Sequence, residues 1–108
     1  GGQDVFINLA GGIKINEPAL DLGIISAMIS SYRNRPIKKY TVVFGEVGLG
    51  GEVRGVSLAE KRLKEAEKLG YKKCIMPEKN LKNIDKSLFG IEIIGISSII
   101  QLMENLDL

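Results

Sequence analysis

With 108 residues, 44% of them hydrophobic and 26% charged, the chain is long enough to bury one continuous core and too apolar to be disordered. It contains no histidine and a single cysteine, which removes Ser-His-Asp and Cys-His catalysis and leaves too few nitrogen and sulfur ligands for a zinc site. The formal net charge is only +2, but it is unevenly placed. Residues 31–86 carry 14 Lys/Arg against 7 Asp/Glu, whereas the remainder has one base, Lys14, and 6 acids. That asymmetry permits a surface that faces a polyanion.

No apolar run is long enough to span a bilayer and no signal sequence opens the chain, so no membrane contact is expected. The missing initiator Met points to a fragment of a longer protein. Residues 4–15 alternate and are rich in Val, Ile and Phe, which predicts two strands, or one bent strand with a bulge at Gly11-Gly12. Asn16-Glu17-Pro18 is a helix start. Residues 19–32 are apolar on nearly every face, which predicts a central helix packed on several sides and ended by Arg33-Asn34-Arg35-Pro36.

Residues 40–47 and 52–56 read as a hairpin around Gly48-Leu49-Gly50-Gly51. An amphipathic helix should run from Ser57 to residue 69, with Ala59, Leu63 and Ala66 on its buried stripe and Gly70 closing it. A short strand over 73–76, holding Cys74 as a buried thiol, should stop at Pro77. Residues 80–87 are the expected flexible loop. A strand over 91–96 leads to a last helix capped by Ser97 or Ser98, with Ile99, Ile100, Met103 and Leu106 inward. The order is β-β-α-β-β-α-β-β-α, an α+β (mixed α/β) arrangement in one domain over residues 1–108.

Two local patterns have simple readings. The glycine-rich turn lacks the Lys-Ser/Thr ending of a phosphate loop, and a strand follows it where a helix would have to start. Ser57-Leu58-Ala59-Glu60 has the S-x-x-E form of a capping box, in which serine and glutamate side chains satisfy each other's backbone N–H groups. The charges of Lys61, Arg62, Lys64 and Lys68 alternate with Glu60, Glu65 and Glu67 as on a solvated helix face.

Three phrases together resemble the Lon-type peptidases. Glu17-Pro18-Ala19-Leu20-Asp21 falls where those proteases carry Gly-Pro-Ser-Ala-Gly. The segment from Gly45-Glu46-Val47 to Gly51-Glu52-Val53 is similar to their Thr-Gly-Glu hairpin, and Lys72 to Asn80 resembles their strand ending in Ile-Pro-x-x-Asn. The resemblance implies the Lon-peptidase-type, ribosomal protein S5 domain 2-like fold. It also sets Ala19 at the position of the nucleophilic serine and, counting back from Pro77, Glu60 at that of its lysine base. Ala19 offers no nucleophile and Glu60 no amine, so no catalytic residues are expected.

Within that superfamily, Gly11-Gly12-Ile13-Lys14-Ile15-Asn16-Glu17-Pro18-Ala19-Leu20-Asp21-Leu22, Phe44 to Leu49, Gly51-Glu52-Val53-Arg54 and Glu65 to Tyr71 resemble the C-terminal domain of the RadA/Sms DNA-repair ATPases. That resemblance implies a cytoplasmic, bacterial, non-proteolytic scaffold for a ring-shaped hexamer, with a contribution to DNA binding in repair and recombination. It places ATP, magnesium and zinc in the RecA-like ATPase and cysteine-motif parts of the parent protein, so no cofactor or metal is expected of this chain. The expected DNA contacts are to phosphate, first from Lys14 and Arg54, then from the cluster Arg33, Arg35, Lys38 and Lys39. A salt bridge from Lys14 or Arg54 across a subunit boundary, to Glu17, Asp21 or Glu52, is the competing reading. Two rival functions are a residual peptidase using Ser26, Ser30 or Ser31 with Lys61, and an oligomerisation module that touches no DNA.

Overall fold

The computed structural model describes residues 17–108. The strands expected over 4–15, the Gly11-Gly12 bulge, Lys14 and the Asn16 cap lie outside the described residues. From Glu17, an extended residue, the chain enters a 3-10 turn, Pro18–Leu20. Proline suits the first turn because its φ is already set and its missing N–H would have no helical partner. Helix α1 follows over Asp21–Arg33 and ends on Asn34, which adopts the left-handed conformation at φ 53 that asparagine tolerates.

Helix α1 is one-sided among the described residues, contrary to the expectation of packing on several faces. Leu22, Gly23, Ser26 and Ser30 are buried, while Ile24, Met28 and Tyr32 are exposed. The buried stripe repeats every four residues and is lined with small side chains, so the backbone comes close to its neighbours. Ser26 keeps its buried hydroxyl satisfied by donating to the Leu22 carbonyl at 2.8 Å.

The strand expected over 40–47 is two strands. β1, Thr41–Val43, joins one sheet, and β2, Glu46–Val47, pairs antiparallel with β3, Val53–Arg54. Gly45 makes the break. Its φ of +154 turns the chain, and a Cβ there would lie 3.2 Å from both Leu22 Cδ2 and Pro77 Cγ. The hairpin is then fastened to a segment far along the chain. Val53 N–H donates to the Ser97 carbonyl at 2.9 Å and Ile99 N–H to the Gly51 carbonyl at 3.0 Å.

Helix α2 covers Ala59–Lys68, with Gly70 after it at φ +95 as expected. The capping box is absent. The helix begins at Ala59, two residues later than expected, after Leu58 in the left-handed conformation, and no side chain caps it. With residue 58 so placed, Ser57 stands outside the helix and cannot reach the first-turn N–H groups. The predicted stripe holds, since Ala59, Leu63 and Ala66 are buried. Leu63 is fully enclosed, so truncating it to alanine should cost about 2–5 kcal/mol.

Strand β4, Lys73–Pro77, is the centre of a parallel three-stranded sheet of order β1-β4-β5, with β5 over Glu92–Ile96. Its continuous apolar run reflects burial on both faces. Alternation sends Ile75 to one side, with Leu22, Val43, Ile96, Leu102 and Leu106. It sends Cys74 and Met76 to the other, with Ala59, Leu63, Ala66 and Ile91. Helices α1 and α4 (Ile99–Asn105) therefore cover one face and α2 the other, a mixed α/β arrangement.

Two further expectations change. The segment 80–87, expected as a loop, takes in the end of a short helix α3, Glu78–Leu81, and the start of a 3-10 turn, Lys86–Leu88, before which Asp85 accepts the Ser87 N–H. Gly95 in β5 makes room for α3, since a Cβ there would reach within 3.2 Å of the Glu78 backbone. In α4 and at its C-cap the inward residues are Leu102 and Leu106, with Ile99 partly buried, whereas Ile100 and Met103 are exposed. The cap sets this phase: Ser98 accepts the Gln101 N–H, and Gln101 Oε1 reaches back to the Ser97 N–H.

Candidate functional site

Ala19 is buried, and its surroundings are backbone-locked. Its carbonyl accepts the Gly45 N–H at 2.9 Å, the Gly45 carbonyl accepts the Leu22 N–H at 3.0 Å, and Asp21 Oδ2 accepts the Val47 N–H at 3.1 Å. The segment that resembles a nucleophile loop thus holds the hairpin onto the start of α1. Glu60 is exposed on α2, where it pairs with Lys64 at 3.5 Å. It lines an open cleft of about 530 Å³ with Lys61, Lys64 and Asn80, and Ala19 is not part of that lining. Neither residue brings a nucleophile or an amine to the other.

The alternative hydroxyls are placed elsewhere. Ser26 is committed to the Leu22 carbonyl, and Ser30 donates to the Arg35 carbonyl, so both serve the helix and its exit. Cys74 is fully buried in β4, and burial pushes its thiol up to about 12, far from the range of a reactive thiolate. Among the described residues no group of three or more Cys, Asp or Glu side chains is arranged to hold a metal ion. No helix among them is long and apolar enough to cross a membrane.

The α2 charges do more than face solvent. Arg62 bonds Glu17 Oε1 at 3.0 Å and the Ser57 carbonyl at 3.0 Å, tying the helix to the entry of the 3-10 turn. Glu67 accepts the Gly90 N–H.

The expected phosphate-contacting residues divide by partner. Arg54 is held within its own hairpin, bonded to Glu52 Oε2 at 2.8 Å and facing Glu46 at 3.6 Å. The Glu52 hydrogen bond raises the Arg54 pKa. The Glu52 carboxyl is itself held below its ordinary range by backbone hydrogen bonding and by Arg54. Arg33 donates to the Leu108 carbonyl at 2.7 Å. Lys38 and Lys39, by contrast, open onto a recess of about 350 Å³ that also takes in Thr41, Lys72, Lys73, Glu92 and Asp107. Lys73 is occupied there, donating to the Asn105 carbonyl at 2.9 Å and facing Asp107 at 3.9 Å, a cation at the negative end of α4. Among the described residues, Lys38, Lys39 and Lys72 are exposed and in no ion pair.

Lys72 was not singled out by sequence reasoning. Its signal is the repeated Lys-Lys immediately before each of two apolar strand cores, Lys38-Lys39 ahead of β1 and Lys72-Lys73 at β4. Parallel neighbours β1 and β4 start at the same edge of the sheet, so both lysine pairs arrive together.

Comparison with known proteins agrees with this description. The family model described as "Subunit ChlI of Mg-chelatase" matches residues 2–80. The chain is 46% identical over 104 residues to the DNA repair protein RadA of Halalkalibacterium halodurans, covering 94% of this chain and 22% of that protein. The RadA proteins of Pseudomonas aeruginosa and Escherichia coli are 46% and 43% identical over 96% and 90% of the chain. The chain spans about a fifth of the length of these curated relatives, in their C-terminal region. The chain therefore belongs to the family of that ChlI model, and within it to the RadA-like members whose C-terminal region it matches.

Proposed function

We propose that the chain is a non-proteolytic, Lon-like scaffold domain of a RadA-type DNA repair and recombination protein, with the Lon-peptidase-type, ribosomal protein S5 domain 2-like fold. The similarity to RadA proteins over more than nine-tenths of the chain carries this reading. Ala19 supplies no nucleophile and Glu60 no base, which supports a structural role for what would be the catalytic face. The domain joins copies of itself into a hexameric ring around DNA, in the bacterial cytoplasm. ATP and magnesium are used by the RecA-like ATPase part of the parent protein, and zinc is held by its cysteine motif. DNA contact is to phosphate, with Lys38 and Lys39 the best placed of the described candidates and Arg35 exposed nearby in sequence.

Binding of labelled single- and double-stranded DNA across a salt series, with assembled mass recorded in parallel, tests this. Steeply salt-dependent binding supports a phosphate-contacting surface. The exposed apolar side chains Ile24, Met28 and Tyr32 on α1 favour a second reading, an oligomerisation module without DNA contact. An assembled ring that binds no DNA at low salt would establish that reading instead. Peptide turnover abolished by one serine substitution would overturn both.

A further inference from the structure

Tyr40 adopts the left-handed backbone conformation, at φ 63, which bulky side chains rarely enter. Glycine or asparagine would hold the same turn with less strain. The turn is fixed because the Tyr40 carbonyl accepts two N–H groups, from Lys72 at 2.8 Å and Lys73 at 3.2 Å. One carbonyl thus fastens the Lys38-Lys39 turn to the start of β4, and it leaves the Tyr40 side chain 63% exposed. Next to it in the chain and across the parallel pair, Lys38, Lys39 and Lys72 open onto the recess at the sheet edge, which Glu92 and Asp107 also line; among the described residues none of the three lysines is in an ion pair. Tyr40 thus holds a strained backbone that leaves its ring exposed, one residue from lysines that open onto the recess, where a ligand could use both.

We propose that Tyr40, Lys38, Lys39 and Lys72 form one contact for a single nucleic-acid strand, with the lysines on consecutive phosphates and an unpaired base stacked on the Tyr40 ring. The proposal rests on the DNA-binding reading above and gives it a location. Every base has a π-face, so an exposed aromatic ring beside cations suits a strand of any sequence. In a duplex those faces are already stacked on neighbouring bases, and the ring gains nothing.

The test uses the chain with a labelled oligothymidylate and a matched duplex over a salt series, in the wild type, Tyr40→Phe, Tyr40→Asn and Lys38→Ala/Lys39→Ala/Lys72→Ala. Asparagine tolerates the left-handed backbone, so Tyr40→Asn removes the ring without breaking the turn, and a thermal melt verifies that the fold is retained. The strand should bind in preference to the duplex. Tyr40→Phe should keep that binding and Tyr40→Asn should weaken it by about tenfold with the salt slope unchanged. The triple lysine variant should lower the slope by about two units. Strand binding that survives both Tyr40→Asn and the lysine variant would overturn the site while leaving DNA binding intact. Equal strand and duplex binding, indifferent to Tyr40→Asn, would overturn the stacking. No binding at the lowest salt would overturn the site and the DNA-binding reading together.

Discussion

The side-chain amide of Asn80 holds both polar groups of the Val56 backbone: Oδ1 accepts the Val56 N–H and Nδ2 donates to the Val56 carbonyl, each at 3.0 Å. It replaces a strand partner for a residue that has left the hairpin and not yet entered α2. Asn80→Ala should leave two partly buried backbone groups without partners and destabilise the chain by about 1–3 kcal/mol. Asn80→Asp should do no better, since a carboxylate keeps the acceptor but sets an oxygen against the Val56 carbonyl. Urea unfolding of both variants checks this, and an unchanged midpoint for Asn80→Ala would show that water replaces the amide at no cost.

Gly45 is the joint between the parallel sheet and the hairpin. An alanine there would have to adopt φ near +154 and place its Cβ 3.2 Å from Leu22 Cδ2 and Pro77 Cγ. Backbone strain and overpacking act together, so Gly45→Ala should cost about 2–4 kcal/mol. A denaturant midpoint within error of wild type would mean that the joint is looser than its contacts indicate.

Leu58 offers the opposite case. It precedes α2 at φ 58, is largely exposed, and its side chain caps nothing. Leu58→Asn relieves the left-handed strain and gives up little burial, so the chain should gain about 0.5–1 kcal/mol. Thermal melts of the pair decide it; a lower melting temperature would show that Leu58 packs more firmly over its two neighbouring clefts than its exposure suggests.

These positions mark what sequence patterns could and could not reveal. The runs Thr41-Val42-Val43 and Cys74-Ile75-Met76, the Ala59-Leu63-Ala66 stripe and the Ser98 cap were legible because each is a local pattern with one favourable outcome. The capping box failed because Ser57 and Glu60 have the right spacing while residue 58 takes a conformation that the letters do not encode. The anchoring of residue 80 on Val56 is a long-range contact with no local pattern. The basic recess was half visible: Lys38 and Lys39 stood out as a cluster, but their union with Lys72 needs the parallel register of β1 on β4. Arg54 was legible as a cation with Glu52, two residues earlier, as a candidate partner, while Glu46 follows from hairpin pairing, which sets it opposite Arg54.

Cys74 supplies a pH dependence. Burial pushes its thiol from an ordinary 9.0 up to about 12, because the core at β4 disfavours the thiolate. The folded chain therefore keeps this proton where the unfolded chain loses it. The stabilisation is fully present below pH 9 and is lost as pH rises from about 9 toward about 12. Lysines titrate in the same window, so the comparison must be with Cys74→Ala, which is expected to be less stable near neutrality because of the small cavity it leaves. Its urea midpoint should fall less steeply between pH 8 and 11 than that of the wild type. Alkylation should agree: at pH 8 a thiol reagent should label Cys74 only as fast as the fold opens, accelerating with urea along the unfolding curve. Rapid labelling without denaturant would place the sulfur at the surface and remove the basis for both expectations.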